Sequence, residues 1–224
     1  MQTIRIFFEK RGRAKYISHL DLMRCWSRAV RRADVPLWYT EGFNPHPYLN
    51  FPRPLPLGQE GLREPILLRL EHEMPFDKFI ENLNAVLPEG MRLLEAGQAW
   101  GDPAEITAAA YEIPLGFAGE DEAAAWMYEA EAMLRQGGLK SMRMGKQGHR
   151  KVEKEVDVSA MTLAWRLERR GGGGALLRCT LACRAEENLN PALLCEALFA
   201  GAGPPPEWGV TRAALLKADG TAWE

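Results

Sequence analysis

The chain has 224 residues, 46% hydrophobic and 26% charged, with a formal net charge of −2, which suits one large globular domain or two of roughly 100 residues each. No apolar run nears the ~20 residues that cross a bilayer, and the opening MQTIRIFFEK has no signal-peptide h-region. The four cysteines are too sparse for a disulfide scaffold, so the expectation is a cytoplasmic protein that meets no membrane.

The small net charge conceals a segregation. Residues 1–53 hold ten Lys/Arg against four Asp/Glu, and residues 101–136 hold eight acids against one base. A second basic island, Lys140 to Lys154, has six Lys/Arg and one glutamate. Positive charge concentrated within an acidic protein is the footprint expected for a polyanion partner. A solvated charged face is the other reading of either island.

In chain order, Thr3 to Phe8 alternates as a strand and KRGRAK follows as a basic loop. Ser18 with Asp21 three residues on forms an acidic capping box. It opens a helix from about His19 to Ala33, with Leu22, Met23, Trp26, Ala29 and Val30 on its apolar face. Pro36 marks its end. Tyr48 to Leu57 is extended but proline-rich, fitting an edge or irregular strand. Pro65 to Leu70 reads as a strand, Phe76 to Leu87 as a helix and Met91 to Ala96 as a strand.

The second half repeats that order: strand Ala110 to Phe117, helix Asp121 to Leu134, extended Val152 to Val158 and Met161 to Glu168. Strand Ala175 to Arg184, helix Asn190 to Phe199 and strand Val210 to Lys217 complete it. Gly171 to Gly174 reads as a hairpin loop, because four glycines with no following helix make no phosphate cradle. The fold class expected is α+β: two tandem ferredoxin-like (βαββαβ) domains with antiparallel sheets. Residues 1–101 form the first and 102–224 the second, which adds a basic hairpin over 140–154.

Candidate site residues fall in three groups. On the first helix and its approach, Lys15, Ser18, His19, Arg24, Arg28, Arg31 and Arg32 include a stripe spaced about one turn apart, able to follow successive phosphates. The loop Gly42-Phe43-Asn44-Pro45-His46-Pro47 offers Phe43, Asn44 and His46 from a backbone stiffened by two prolines. In the hairpin, Lys146, His149, Arg150 and Lys151 crowd the tip. Each has a plainer alternative: a solvated helix face with Asp21 pairing Arg24 or Arg28, a structural turn, and an unstructured loop. His19 and His46 together also fit an acid–base pair for RNA cleavage without a metal.

The run SHLDLMRCWSRAVRRADVPLWYTEGFNPHPYLNFPRPLPLG resembles the radical-SAM-linked protein family, whose members occur free or as the C-terminal extension of a radical SAM enzyme. The matching elements are the Lys10 to Lys15 loop, Ser18 to Asp21, Arg28 to Arg32 and Gly42 to Pro47. The resemblance continues more loosely along the chain, with Glu64-Pro65 departing from the expected strand opening. It implies a relationship to a radical SAM enzyme, and the cysteines indicate which side of it. Such an enzyme holds its cluster with three closely spaced thiolates. Here Cys25 and Cys195 are isolated, and Cys179 and Cys183 stand roughly 13 Å apart along a strand. The expectation is a linked partner with no cofactor or metal of its own: an RNA-binding protein that presents tRNA or rRNA to a separate radical SAM enzyme. The same basic face docking on the radical enzyme or a ribosomal protein is the alternative.

Overall fold

The computed structural model describes residues 1–147 and 150–223, with the side chains of 146, 147, 150 and 151 outside that description. It is a mixed α+β structure with mostly antiparallel strand pairing. The chain divides into two compact units: Met1–Glu105 with Arg212–Ala214 and Ala222–Glu224, and Ile106–Thr211 with Leu215–Thr221.

The first unit runs β1 (Gln2–Lys10), a 3-10 turn over Gly12–Tyr16, α1 (His19–Arg32), β2 (Leu49–Asn50), β3 (Glu60–Leu70), α2 (Phe76–Asn84) and β4 (Met91–Gln98). Its strands lie in the order β4-β1-β3-β2, each antiparallel to its neighbour. Alternation along β1 sends Ile4, Ile6 and Phe8 into a core with Leu22, Trp26 and Val30 of α1 and Phe79 and Leu83 of α2. Phe8 meets Trp26 edge to face at 5.1 Å between ring centroids. Such a pair adds about 0.5–1.5 kcal/mol beyond the area it buries. Arg5 points the other way, its guanidinium 5.1 Å from both the Phe7 and the Trp223 ring centroids, and it donates to the Trp100 carbonyl at 2.7 Å.

Four local expectations are revised here. The KRGRAK segment, read as a loop, contains the 3-10 turn. Within Tyr48 to Leu57 only Leu49 and Asn50 join the sheet, opposite Leu68 and Leu67. The second helix ends at Asn84, three residues short of the apolar repeat. The strand expected from Pro65 begins instead at Glu60, and Pro65 sits inside it opposite Phe7. A strand accommodates proline where the ladder asks no donor of it. The charged residues ahead of Pro65 disguised the strand because their partners lie elsewhere in the chain. A bulge displaces the β1–β3 register between Phe8 and Lys10, so Lys10 faces Gly61. A side chain on Gly61 would come within 2.5 Å of the Glu64 side chain, so this position must stay bare.

The second unit contains β5 (Ala108–Gly116), α3 (Glu120–Gln136), β6 (Lys140–Gln147), β7 (Arg150–Asp157), α4 (Val158–Met161), β8 (Thr162–Arg170), β9 (Gly174–Ala182), α5 (Pro191–Ala202), β10 (Glu207–Trp208) and part of β11 (Thr211–Leu216). β9 pairs antiparallel with both β5 and β8, β10 lies on β5, and β6 and β7 form a separate two-stranded ribbon. The glycine run joins β8 to β9, as its composition suggested. Met161 belongs to the single turn of α4, not to the following strand: Asp157 caps that turn by accepting from Ala160 N at 2.9 Å. Asn190 caps α5 in the same way, with Pro191 at its first position.

Candidate functional site

The site grows out of α1. Ser18 Oγ accepts from Asp21 N at 3.2 Å and donates to Asp21 Oδ2 at 2.7 Å, closing the capping box. These bonds, and then the Arg24 guanidinium, hold the Asp21 carboxyl below its ordinary range. The C-terminal end is closed by Asp34 N on Arg31 O at 3.4 Å and Val35 N on Val30 O at 3.2 Å. Asp34 takes the left-handed position usually given to glycine, with φ +50. With the apolar face buried and both ends capped, Arg24, Arg28, Arg31 and Arg32 project from the exposed side.

The following loop is cross-tied. Thr40 N donates to His46 O at 2.9 Å, and Tyr48 N to Trp38 O at 3.2 Å. His46 N donates to Thr40 Oγ1 at 3.2 Å. His46 Nδ1 lies 3.1 Å from both the Asn44 carbonyl oxygen and Thr40 Oγ1, which ties that side of the exposed ring to the loop and leaves Nε2 with no hydrogen bond among the described residues. Gly42 adopts φ +122, a conformation that a side chain would resist. Phe43 is fully exposed on this loop.

Helix and loop enclose one open cleft of about 680 Å³. It is lined by Leu20, Met23, Arg24, Arg28 and Arg31 of α1 and by Thr40, His46 and Leu49 beyond it. On the far side of the arginine row a second hollow of about 440 Å³ is lined by Arg32, Cys25, Asp21 and again Arg24 and Arg28. Arg24 is paired with Asp21 at 2.9 Å. Arg31 Nε donates to Tyr39 Oη at 3.2 Å, its guanidinium 5.6 Å from that ring's centroid. Arg28 and Arg32 make no hydrogen bond or ion pair among the described residues. The row therefore keeps most of its charge available to a ligand.

The remaining candidates lie apart from the cleft lining. Ser18 is occupied by the cap, and Lys15 sits with Nζ 5.3 Å from the Tyr16 ring centroid. His19 packs edge-on against Phe51 at 5.3 Å and is not part of the cleft wall that His46 helps form. Phe43 and Asn44 stand on the loop tip beside it.

In the hairpin, His149 lies outside the described residues, as do the side chains of Lys146, Arg150 and Lys151. Register divides what composition showed as one basic island. Arg143 faces Lys154 across the ribbon, both exposed. Met142, Met144, Glu153 and Glu155 occupy the opposite face, where Lys140 Nζ reaches Glu155 at 2.7 Å and has its pKa raised by it. Two cations directly opposed are unfavourable without an anion between them.

Several contributors went unread in the sequence. Tyr48 lines the cleft and is held by the Arg69 guanidinium, 4.5 Å from its ring centroid and 5.4 Å from that of Trp38. The aromatic residues flanking GFNPHP were the available signal. Nothing local marked Lys10, Glu64 and Arg212, which are buried together in the first unit. The cysteines behave as core residues: burial raises the Cys179 thiol well above its ordinary range and pushes Cys195 up to about 12. Cys25 is also raised by burial, against the opposing pull of Arg28 and Arg32.

No helix among the described residues is long and apolar enough to cross a membrane. No curated protein matches the chain. Residues 3–191 match a family described as an uncharacterized protein conserved in bacteria (DUF2344). That description mentions neither a radical SAM enzyme nor RNA, and the match covers most of both units, so the chain belongs to this bacterial family.

Proposed function

We propose that the protein binds structured RNA, tRNA or rRNA, through the cleft between α1 and the His46 loop, and presents it to a separate radical SAM enzyme. The observation behind this reading is the arginine row itself: three arginines on successive turns line one cleft with His46, and among the described residues only Arg24 of the three is paired with a carboxylate. Cations held in a concave site raise the local concentration of a polyanion and steer its approach. The Arg143–Lys154 pair on the ribbon is a second cationic surface. The radical SAM partnership rests on the sequence resemblance. A tandem ferredoxin-like architecture belongs to the same proposal; the β4-β1-β3-β2 order of the first unit supports it there.

The test is retention of total cellular RNA at moderate salt. Wild-type protein retains it and Arg28→Glu with Arg31→Glu does not; equal retention by both rejects the proposal. A protein-docking role for the same face is favoured by one observation, the exposure of Leu20 in the lining it shares with the arginines.

A further inference from the structure

Phosphate contacts alone do not account for the cleft. A surface that only tracks a backbone needs cations and hydrogen-bond donors. This one also has Leu20, Met23, Tyr48 and Leu49 in its lining, with Leu20 64% exposed and so accessible to a ligand. The volume, about 680 Å³, lies in the range of pockets that bury a single small ligand and is far too small for a duplex. Apolar side chains, arginines and a histidine sharing one lining suit a flat heterocycle carrying phosphates.

We infer that the cleft seats one unstacked nucleotide of the bound RNA. Its base packs against Leu20, Met23 and Leu49, its flanking phosphates meet Arg28 and Arg31, and His46 Nε2 hydrogen-bonds the base or the 2′-hydroxyl. The two arginines differ in a useful way. Arg31 is held in place by Tyr39, so its position is set before the ligand arrives. Arg28 has no partner among the described residues and is free to close on the phosphate. With His46 Nδ1 engaged by Asn44 O and Thr40 Oγ1, Nε2 is the ring nitrogen left to meet a base edge or a ribose hydroxyl.

This inference rests on the RNA-binding reading, and its test separates the two. The full chain is titrated with a fluorescent single-stranded 12-mer, with a blunt duplex of the same sequence, and with a 12-mer whose bases are all removed. Seating of one base predicts that the single strand binds at least tenfold more tightly than either the duplex or the abasic strand. Nucleoside 5′-monophosphates displace it and ribose 5-phosphate does not. Leu20→Gln, a neutral change at an exposed position that leaves the core intact and adds no charge beside the arginines, reduces single-strand affinity by about tenfold while leaving abasic binding within about twofold, as expected from losing an apolar contact with a base. Equal affinity for all three probes overturns the seated nucleotide and leaves RNA binding standing. Binding to none of them overturns both.

Discussion

Arg212 reaches Glu64 across 148 residues of sequence, its Nε donating to Oε1 at 2.9 Å and its Nη2 to Oε2, with both side chains buried in the first unit. Nη2 also donates to the Arg53 carbonyl at 2.6 Å. This fork fastens the segment 212–214 to the strand that runs along the middle of the β4-β1-β3-β2 sheet. Lys10, almost fully buried beside it, interacts with both charges.

Removing one member of a buried ion pair strands the other. Arg212→Met is expected to cost about 3–5 kcal/mol, since Glu64 would remain desolvated with only Lys10 to answer it. Replacing Lys10, Glu64 and Arg212 together by apolar residues of similar size is expected to restore most of that loss. Urea denaturation measures both; an Arg212→Met midpoint equal to wild type contradicts the role given to the pair.

Lys10 titrates below the ordinary lysine range, chiefly because burial penalises its ammonium, with Glu64 opposing and Arg212 assisting. Its Nζ has no hydrogen-bond partner among the described residues. Between the depressed folded value and the ordinary unfolded one, the unfolded chain binds more protons, so stability rises with pH across that window. Below the window the full cost of the buried charge is present. Lys10→Met is expected to stabilise the protein by about 1–3 kcal/mol near neutrality and to abolish the alkaline rise. Thermal melts of both proteins from about pH 7 to pH 10 decide this.

Ser18→Ala removes both bonds of the α1 cap and is expected to cost about 1 kcal/mol. Asp21 is depressed first by Ser18 and then by Arg24, so its stabilising contribution is present above the ordinary carboxylate range and fades as pH falls through its lowered value. In the variant that carboxyl moves back toward its ordinary range. An NMR titration of Asp21 that shows no upward movement contradicts the cap geometry.

The salt dependence of RNA binding distinguishes nucleic acid from protein at the cleft. Each phosphate contact contributes nearly one unit to the slope of log affinity against log salt, so Arg28→Gln and Arg31→Gln should each reduce its magnitude by about one. A shallow slope that neither change alters would instead indicate a protein docking face.

The elements read most directly from sequence were those whose signals lie within a few residues of one another. Ser18 and Asp21 are three apart, the apolar face of α1 repeats with the helical turn, and Asn190-Pro191 announces α5 at its first residue. β3 was cut short because Arg63 and Glu64 resemble loop residues until Phe7, Glu95 and Arg212 are in place around them. Composition counts charges along the basic island, but the pleat sends neighbours to opposite faces, and strand register is what sets Arg143 opposite Lys154.

The sequence by itself determined the helix caps, the alternation of β1 and the arginine stripe, because capping, pleat and helical period act over a few residues of backbone. Only the tertiary structure decided that the stripe and the His46 loop line one cleft, that His19 turns to Phe51 instead, and that Lys10, Glu64 and Arg212 share a buried cluster. Those outcomes depend on strand register and on contacts between distant segments, where burial, not spacing, sets the energy of a charge.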